Sequence, residues 1–76
     1  MPHVIVKLWP GRSEEQKAEL AERITQALQA ALHSSEASIS VAIEEVTRQD
    51  WMAKVYETEI SPNLDTLYKK PGYDQV

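Results

Sequence analysis

Two stretches of strand-like residues, HVIVKLW at 3–9 and SISVAIEEV at 38–46, bracket a long helical pattern, and this arrangement constrains the fold more than any other feature. In the first stretch Val4, Val6 and Leu8 share one face. In the second Ile39, Val41 and Ile43 point one way, and Ser40, Ala42 and Glu44 the other. Ile5 adds an apolar group to the opposite face of the first strand, so that face is expected to be covered as well. PGRS at 10–13 is turn chemistry. Ser13 fits an N-cap, with Gln16 three residues on to complete a capping box and Glu14 and Glu15 well placed for the helix dipole. Leu20, Ile24, Ala27, Leu28, Ala31 and Leu32 then recur at helical spacing, which predicts a helix of about 20 residues ending near His33. His33 complements its C-terminus, and SSEAS follows as a loop. Strand, helix and strand within about 45 residues make one βαβ unit, with parallel strands and a right-handed crossover.

Beyond the second strand, Asp50 is expected to cap a shorter helix carrying Trp51, Met52, Val55 and Tyr56. Ser61-Pro62 opens a further helical turn with Leu64 and Leu67, and KKPGY stops it, with Lys69 and Lys70 at its C-terminus. The expected class is α/β (α+β), with 1–76 as a single domain. It holds one βαβ unit with a parallel two-stranded sheet, plus C-terminal helical segments. Such a sheet cannot stand alone, because its edges and one face lie open. A chain of 76 residues has a small core, and with no cysteine it has no disulfide to supplement that core. Oligomerisation is therefore expected to complete the sheet.

Composition excludes several partners. The net charge is −4, and the eight basic residues are scattered, which is no footprint for nucleic acid. No apolar run approaches the ~20 residues that span a bilayer, and no charged region precedes the first strand as a signal peptide requires. The chain reads as soluble and cytoplasmic. His3 and His33 stand alone, so no metal site is expected.

Pro2 has two readings. Proline is tolerated at a strand start, where its missing N–H costs nothing. Alternatively, methionine is trimmed when a small residue follows it, and trimming would leave Pro2 with a free secondary amine. Parallel neighbours start at the same end of a sheet, so that amine would lie level with Ser38 to Ser40. Partial burial disfavours an amine's charged form, which suits it to act as a base or acid near neutral pH, or as a nucleophile toward carbonyls.

The N-terminal proline, the strand, GRSEEQK, the long helix and the second strand together resemble the 4-oxalocrotonate tautomerase family. SSEASISVAIEEV, the tryptophan that follows, EISP and KKPGY are similar to its dimeric bacterial branch, which tautomerises phenylpyruvate-type enols. The resemblance covers essentially the whole chain. It implies a cofactor-independent keto–enol tautomerase, acting on small enol or keto acids as a homodimer. It also implies that Pro2 shuttles a proton between oxygen and carbon, and that Arg12 holds substrate oxygens. Trp51 is implied to wall the pocket. By themselves, Arg12 also reads as a solvated turn residue and Trp51 as core or dimer packing. Hexameric members carry a second arginine where this chain has Ser40. A neutral hydroxyl cannot offset a carboxylate's charge, so a monocarboxylate with an apolar or aryl tail is the expected substrate. Ser38 is an alternative hydroxyl for the same contact, and His3 reads as a surface strand residue. Two rival functions remain open on sequence alone: a hydratase or dehalogenase of unsaturated acids on the same site, and a non-catalytic oligomeric module.

Overall fold

The computed structural model describes residues 1–74, which divide into two compact units, Met1–Glu45 and a second from Val46 onward. The first unit begins with β1 (His3–Leu8), followed by the helix α1 (Glu14–Leu32) and then β2 (Ser40–Glu45). The two strands pair in parallel, with His3 opposite Ser40, Val4 opposite Val41, Val6 opposite Ile43 and Leu8 opposite Glu45. This is the anticipated βαβ arrangement. Strand 2 is shorter than its alternation suggested, because 36–38 wind into a short 3₁₀ turn whose end ties Ser38 N–H back to Ser35 O at 3.1 Å.

The start of α1 follows from its first residues. Ser13 Oγ accepts the Gln16 N–H at 3.1 Å, and Gln16 Oε1 accepts the Ser13 N–H at 3.0 Å. This reciprocal box satisfies two otherwise orphaned donors and contributes about 1 kcal/mol. His33 ends the helix as a left-handed cap at φ 58°, its N–H returning to Gln29 O at 3.0 Å. Histidine is among the few side chains enriched in that conformation. The helix packs on β2. Lys17 fastens its first turns, reaching Glu14 at 3.0 Å and Glu45, on the last residue of β2, at 3.2 Å. Val4, Val6 and Leu8 lie half-buried on one face of the sheet, whereas Ile5 on the other remains 50% exposed within the single chain. No residue of this unit is fully buried.

The second unit opens on α2 (Arg48–Trp51). Its cap is Thr47 rather than Asp50: the Thr47 hydroxyl accepts the Asp50 N–H at 3.3 Å. Asp50 lies inside the first turn and meets Lys54 at 3.3 Å. From Met52 to Ile60 the helix continues with π-type winding, so that Ser61 N–H reaches back five residues to Tyr56 O. The Thr58 hydroxyl donates to Lys54 O at 2.7 Å, taking the carbonyl that an α-helical N–H would use. A 3₁₀ turn at Ser61–Asn63 follows, with Pro62 in its opening positions. Helical structure stops there, so Lys69 and Lys70 lie beyond any helix end, contrary to the sequence expectation. Val55, 5% exposed, is the buried hydrophobic residue among those described.

Candidate functional site

Pro2 sits immediately before β1, half-buried, at the end of the sheet where β2 also begins. Its carbonyl accepts the Ser40 N–H at 3.2 Å. That bond extends the parallel ladder by one step and fixes the residue that carries the nitrogen. Met1, by contrast, projects fully into solvent at 101% exposure. In this chain the Pro2 nitrogen is an amide; removing Met1 turns it into a secondary amine without disturbing the bond at its carbonyl.

Ser40 is the hydroxyl brought to Pro2. The Ser38 hydroxyl is spent locally on Ser35 O at 2.8 Å. Ser40 Oγ instead meets His3 Nδ1 at 2.6 Å, across the strand pair and beside Pro2. On sequence His3 reads first as a surface strand residue and second as a neighbour of Pro2; it is exposed, and it lies beside Pro2. The signal for its contact with Ser40 is the register itself, since a parallel pair starting at Pro2 places residue 3 opposite the first residue of β2.

Arg12 lies elsewhere. It follows Gly11, whose φ of 122° no other residue adopts readily, and directly precedes the Ser13 cap. Because Lys17 near the start of α1 reaches Glu45, and Glu45 opposes Leu8, the Arg12 turn is at the far end of the strands from Pro2. The six steps from Pro2 to Leu8 span about 20 Å at ~3.3 Å per residue. Within one chain, Pro2 and Arg12 do not share a pocket. The Arg12 side chain is exposed, and its guanidinium makes no hydrogen bond or ion pair among the described residues.

Trp51 ends α2 in the second unit and is half-buried. Its indole N–H donates to the Tyr73 hydroxyl at 3.0 Å, and the Tyr73 ring tilts against Tyr56 with centroids 5.8 Å apart. Tyr73 and Tyr56 thus fix the indole. Sequence does not pair Tyr73 with Trp51, since a contact across 22 positions leaves no local pattern. Lys17 is a titratable group in a perturbed environment: hydrogen bonds to Glu14 and then Glu45 hold its ammonium above the ordinary lysine value. Its partners tie it to the helix–strand junction, away from Pro2.

The model of the tautomerase enzyme family matches residues 2–57, beginning at the proline. Tautomerase PptA of Cronobacter sakazakii is 47% identical over 75 residues, covering 97% of this chain and 99% of that one. A probable tautomerase of Xylella fastidiosa is 43% identical, covering 100% and 93%. Among solved structures, a heterohexamer 4-oxalocrotonate tautomerase from Chloroflexus aurantiacus J-10-fl superposes with a TM-score of 0.64 at 34% identity, over 72% of this chain and 98% of that one. A parallel βαβ frame with proline at its leading edge, matched along nearly its whole length by these relatives, makes the chain a member of the 4-oxalocrotonate tautomerase family, an enzyme that interconverts enol and keto forms.

Proposed function

We propose that Pro2, freed by removal of Met1, is the acid–base of a tautomerase for enols of 2-keto acids carrying one carboxylate and an apolar or aryl tail. The observation that carries this reading is the Ser40 N–H bond to Pro2 O, which holds the proline at the sheet edge while Met1 hangs in solvent. The amine takes the enol O–H proton, the C–O bond becomes a carbonyl, and the displaced π pair forms the new C–H bond with the proton the ammonium returns. Nothing is consumed, and one proton has moved from oxygen to carbon. Arg12 pairs with the substrate's carboxylate, and the distance along β1 means that it does so in the site of a second copy. Ser40 supplies a neutral hydroxyl to the same substrate. Trp51, whose indole N–H donates to the Tyr73 hydroxyl, is the proposed apolar wall.

The chain acts as one domain, and the family match from residue 2 to 57 supports this by running across the two units. A second copy covers the Ile5 face of the sheet, and a homodimer is the assembly proposed. Among the described residues no helix is long and apolar enough to cross a membrane; the cytoplasm is the proposed location.

The test compares the trimmed chain with one that retains Met1, each verified by intact mass. Because Met1 is exposed and the Pro2 carbonyl bond is common to both, thermal unfolding should coincide. Turnover of phenylpyruvate enol should fall by ~10²–10⁴ in the Met1-retaining chain, the range that general acid–base catalysis supplies. Equal turnover would remove Pro2 from the chemistry.

A further inference from the structure

The contact between His3 Nδ1 and Ser40 Oγ, at 2.6 Å, is short for its type and sits one residue from the proposed base. A serine hydroxyl has one proton to donate. If the imidazole nitrogen accepts that proton, Ser40 can present only lone pairs to a substrate. A keto acid offers carbonyl and carboxylate oxygens, which are acceptors too, and the contact is then repulsive. If Nδ1 instead carries a proton and donates it to Oγ, the hydroxyl proton is released to point at a substrate oxygen. Ser40 cannot choose between these states through its backbone, because its N–H is already committed to Pro2 O.

We propose that His3 donates from Nδ1 to Ser40 Oγ and so turns the Ser40 hydroxyl proton toward the substrate, which makes His3 a positioning residue of the proline site. This rests on the function proposed above and adds to it the group that sets the polarity of Ser40. Both side chains are exposed at the strand edge, where a substrate can reach the hydroxyl. The next titratable pair on the same face, Lys7 and Glu44, lies four residues along, about 13 Å away. Neither is close enough to take over the contact. His3 therefore conveys a hydrogen-bond direction and does not itself touch the reacting atoms.

Two measurements on the full-length, Met1-trimmed protein test this. Nitrogen NMR of ¹⁵N-histidine-labelled protein with saturating phenylpyruvate should show the His3 Nδ1 protonated; an unprotonated Nδ1 overturns the proposal whatever the activity. In kinetics with phenylpyruvate enol, His3→Leu should raise KM about three- to tenfold, the scale of one neutral hydrogen bond, with kcat little changed. His3→Asn, whose amide can donate to the same oxygen, should restore most of the loss. Ser40→Ala should match His3→Leu, and the double variant should be no worse than either single one. An unchanged KM in His3→Leu, or losses that multiply in the double variant, refutes the positioning role. If trimmed wild-type protein fails to turn over the enol at all, the proposed function falls, and the NMR result still decides the direction of the His3–Ser40 bond.

Discussion

The separation of Pro2 and Arg12 along β1 leads to a quantitative test by mixing two damaged chains. One retains Met1, so its Pro2 nitrogen is an amide. The other is trimmed but carries Arg12→Ala. Alone, the first should lose ~10²–10⁴ in turnover. The second should lose about ten- to a hundredfold, the scale of one charge-assisted hydrogen bond made to the transition state. If each site draws its proline from one copy and its arginine from another, random co-assembly of equal amounts repairs some sites. A site is intact when its proline copy is the trimmed one, a chance of about one half, and its arginine copy is the Met1-retaining one, again about one half. About a quarter of sites then carry both groups, for a dimer or for any larger ring of equivalent interfaces.

The assay refolds the two chains together from denaturant and compares them with the same chains refolded apart and then combined. Co-refolding should recover about a quarter of wild-type activity per site. The combined control should show only the mean of the residual activities, a few per cent. Recovery no greater than the control would mean that proline and arginine serve the same site from the same chain. The inference from the ~20 Å of intervening strand would then be wrong.

Other expectations follow from single contacts. Lys17→Met should lower the melting temperature at neutral pH, since it removes the tie from α1 to Glu45. The Lys17 ammonium is held above its ordinary value of 10.5, so its contribution is complete below that pH and disappears as pH rises through the folded value. The wild-type advantage over Lys17→Met in melting temperature should accordingly shrink as the pH is raised beyond 10.5, and an advantage that persists once the lysine is deprotonated counts against the ion pairs as its source. Ser40→Arg should shift kcat/KM toward dicarboxylate dienols and away from aryl enols; a wild-type chain that already prefers the dicarboxylate by about tenfold would show that another cation serves the pocket. Sedimentation at micromolar concentration should give a two-chain particle, and a six-chain particle refutes the proposed dimer.

Much of the first unit was legible because its signals are local. Ser13 and Gln16 declare the helix start within four residues, and the alternation of Val41, Ala42 and Ile43 fixes which face of β2 meets α1. Parallel pairing then brought Ser40 to Pro2 without any tertiary information. The failures are equally physical. Thr47 and Asp50 are both competent caps, and the rule that sets a cap just before the first apolar residue favoured Asp50; the helix in fact begins with a polar turn. Over the nine residues from Met52 to Ile60, apolar spacing cannot distinguish α from π winding. Arg12 and Pro2 were read as parts of one pocket because the resemblance joins them, and only the strand length and the Lys17–Glu45 tie show that one chain holds them apart.

Parallel topology also has an electrostatic consequence at the proline. In an antiparallel hairpin the N-terminus would face the end of the second strand, which here is Glu44-Glu45. Carboxylates beside an amine favour its protonated form and would hold Pro2 as a cation, poor at accepting a proton. The βαβ crossover instead places the start of β2 there, with an uncharged hydroxyl at Ser40. It sends Glu44 and Glu45 about 13 and 17 Å up the strand from Ser40, to the end where Lys7 opposes Glu44 and Lys17 binds Glu45. A helix of 19 residues, rising about 28 Å, is long enough to carry the chain back over that distance. The length of α1 and the neutrality of the sheet edge at Pro2 are thus one requirement. A Ser40→Asp chain should show it directly: its trimmed proline should titrate at higher pH, and its turnover at neutral pH should fall even though every backbone bond to Pro2 is retained.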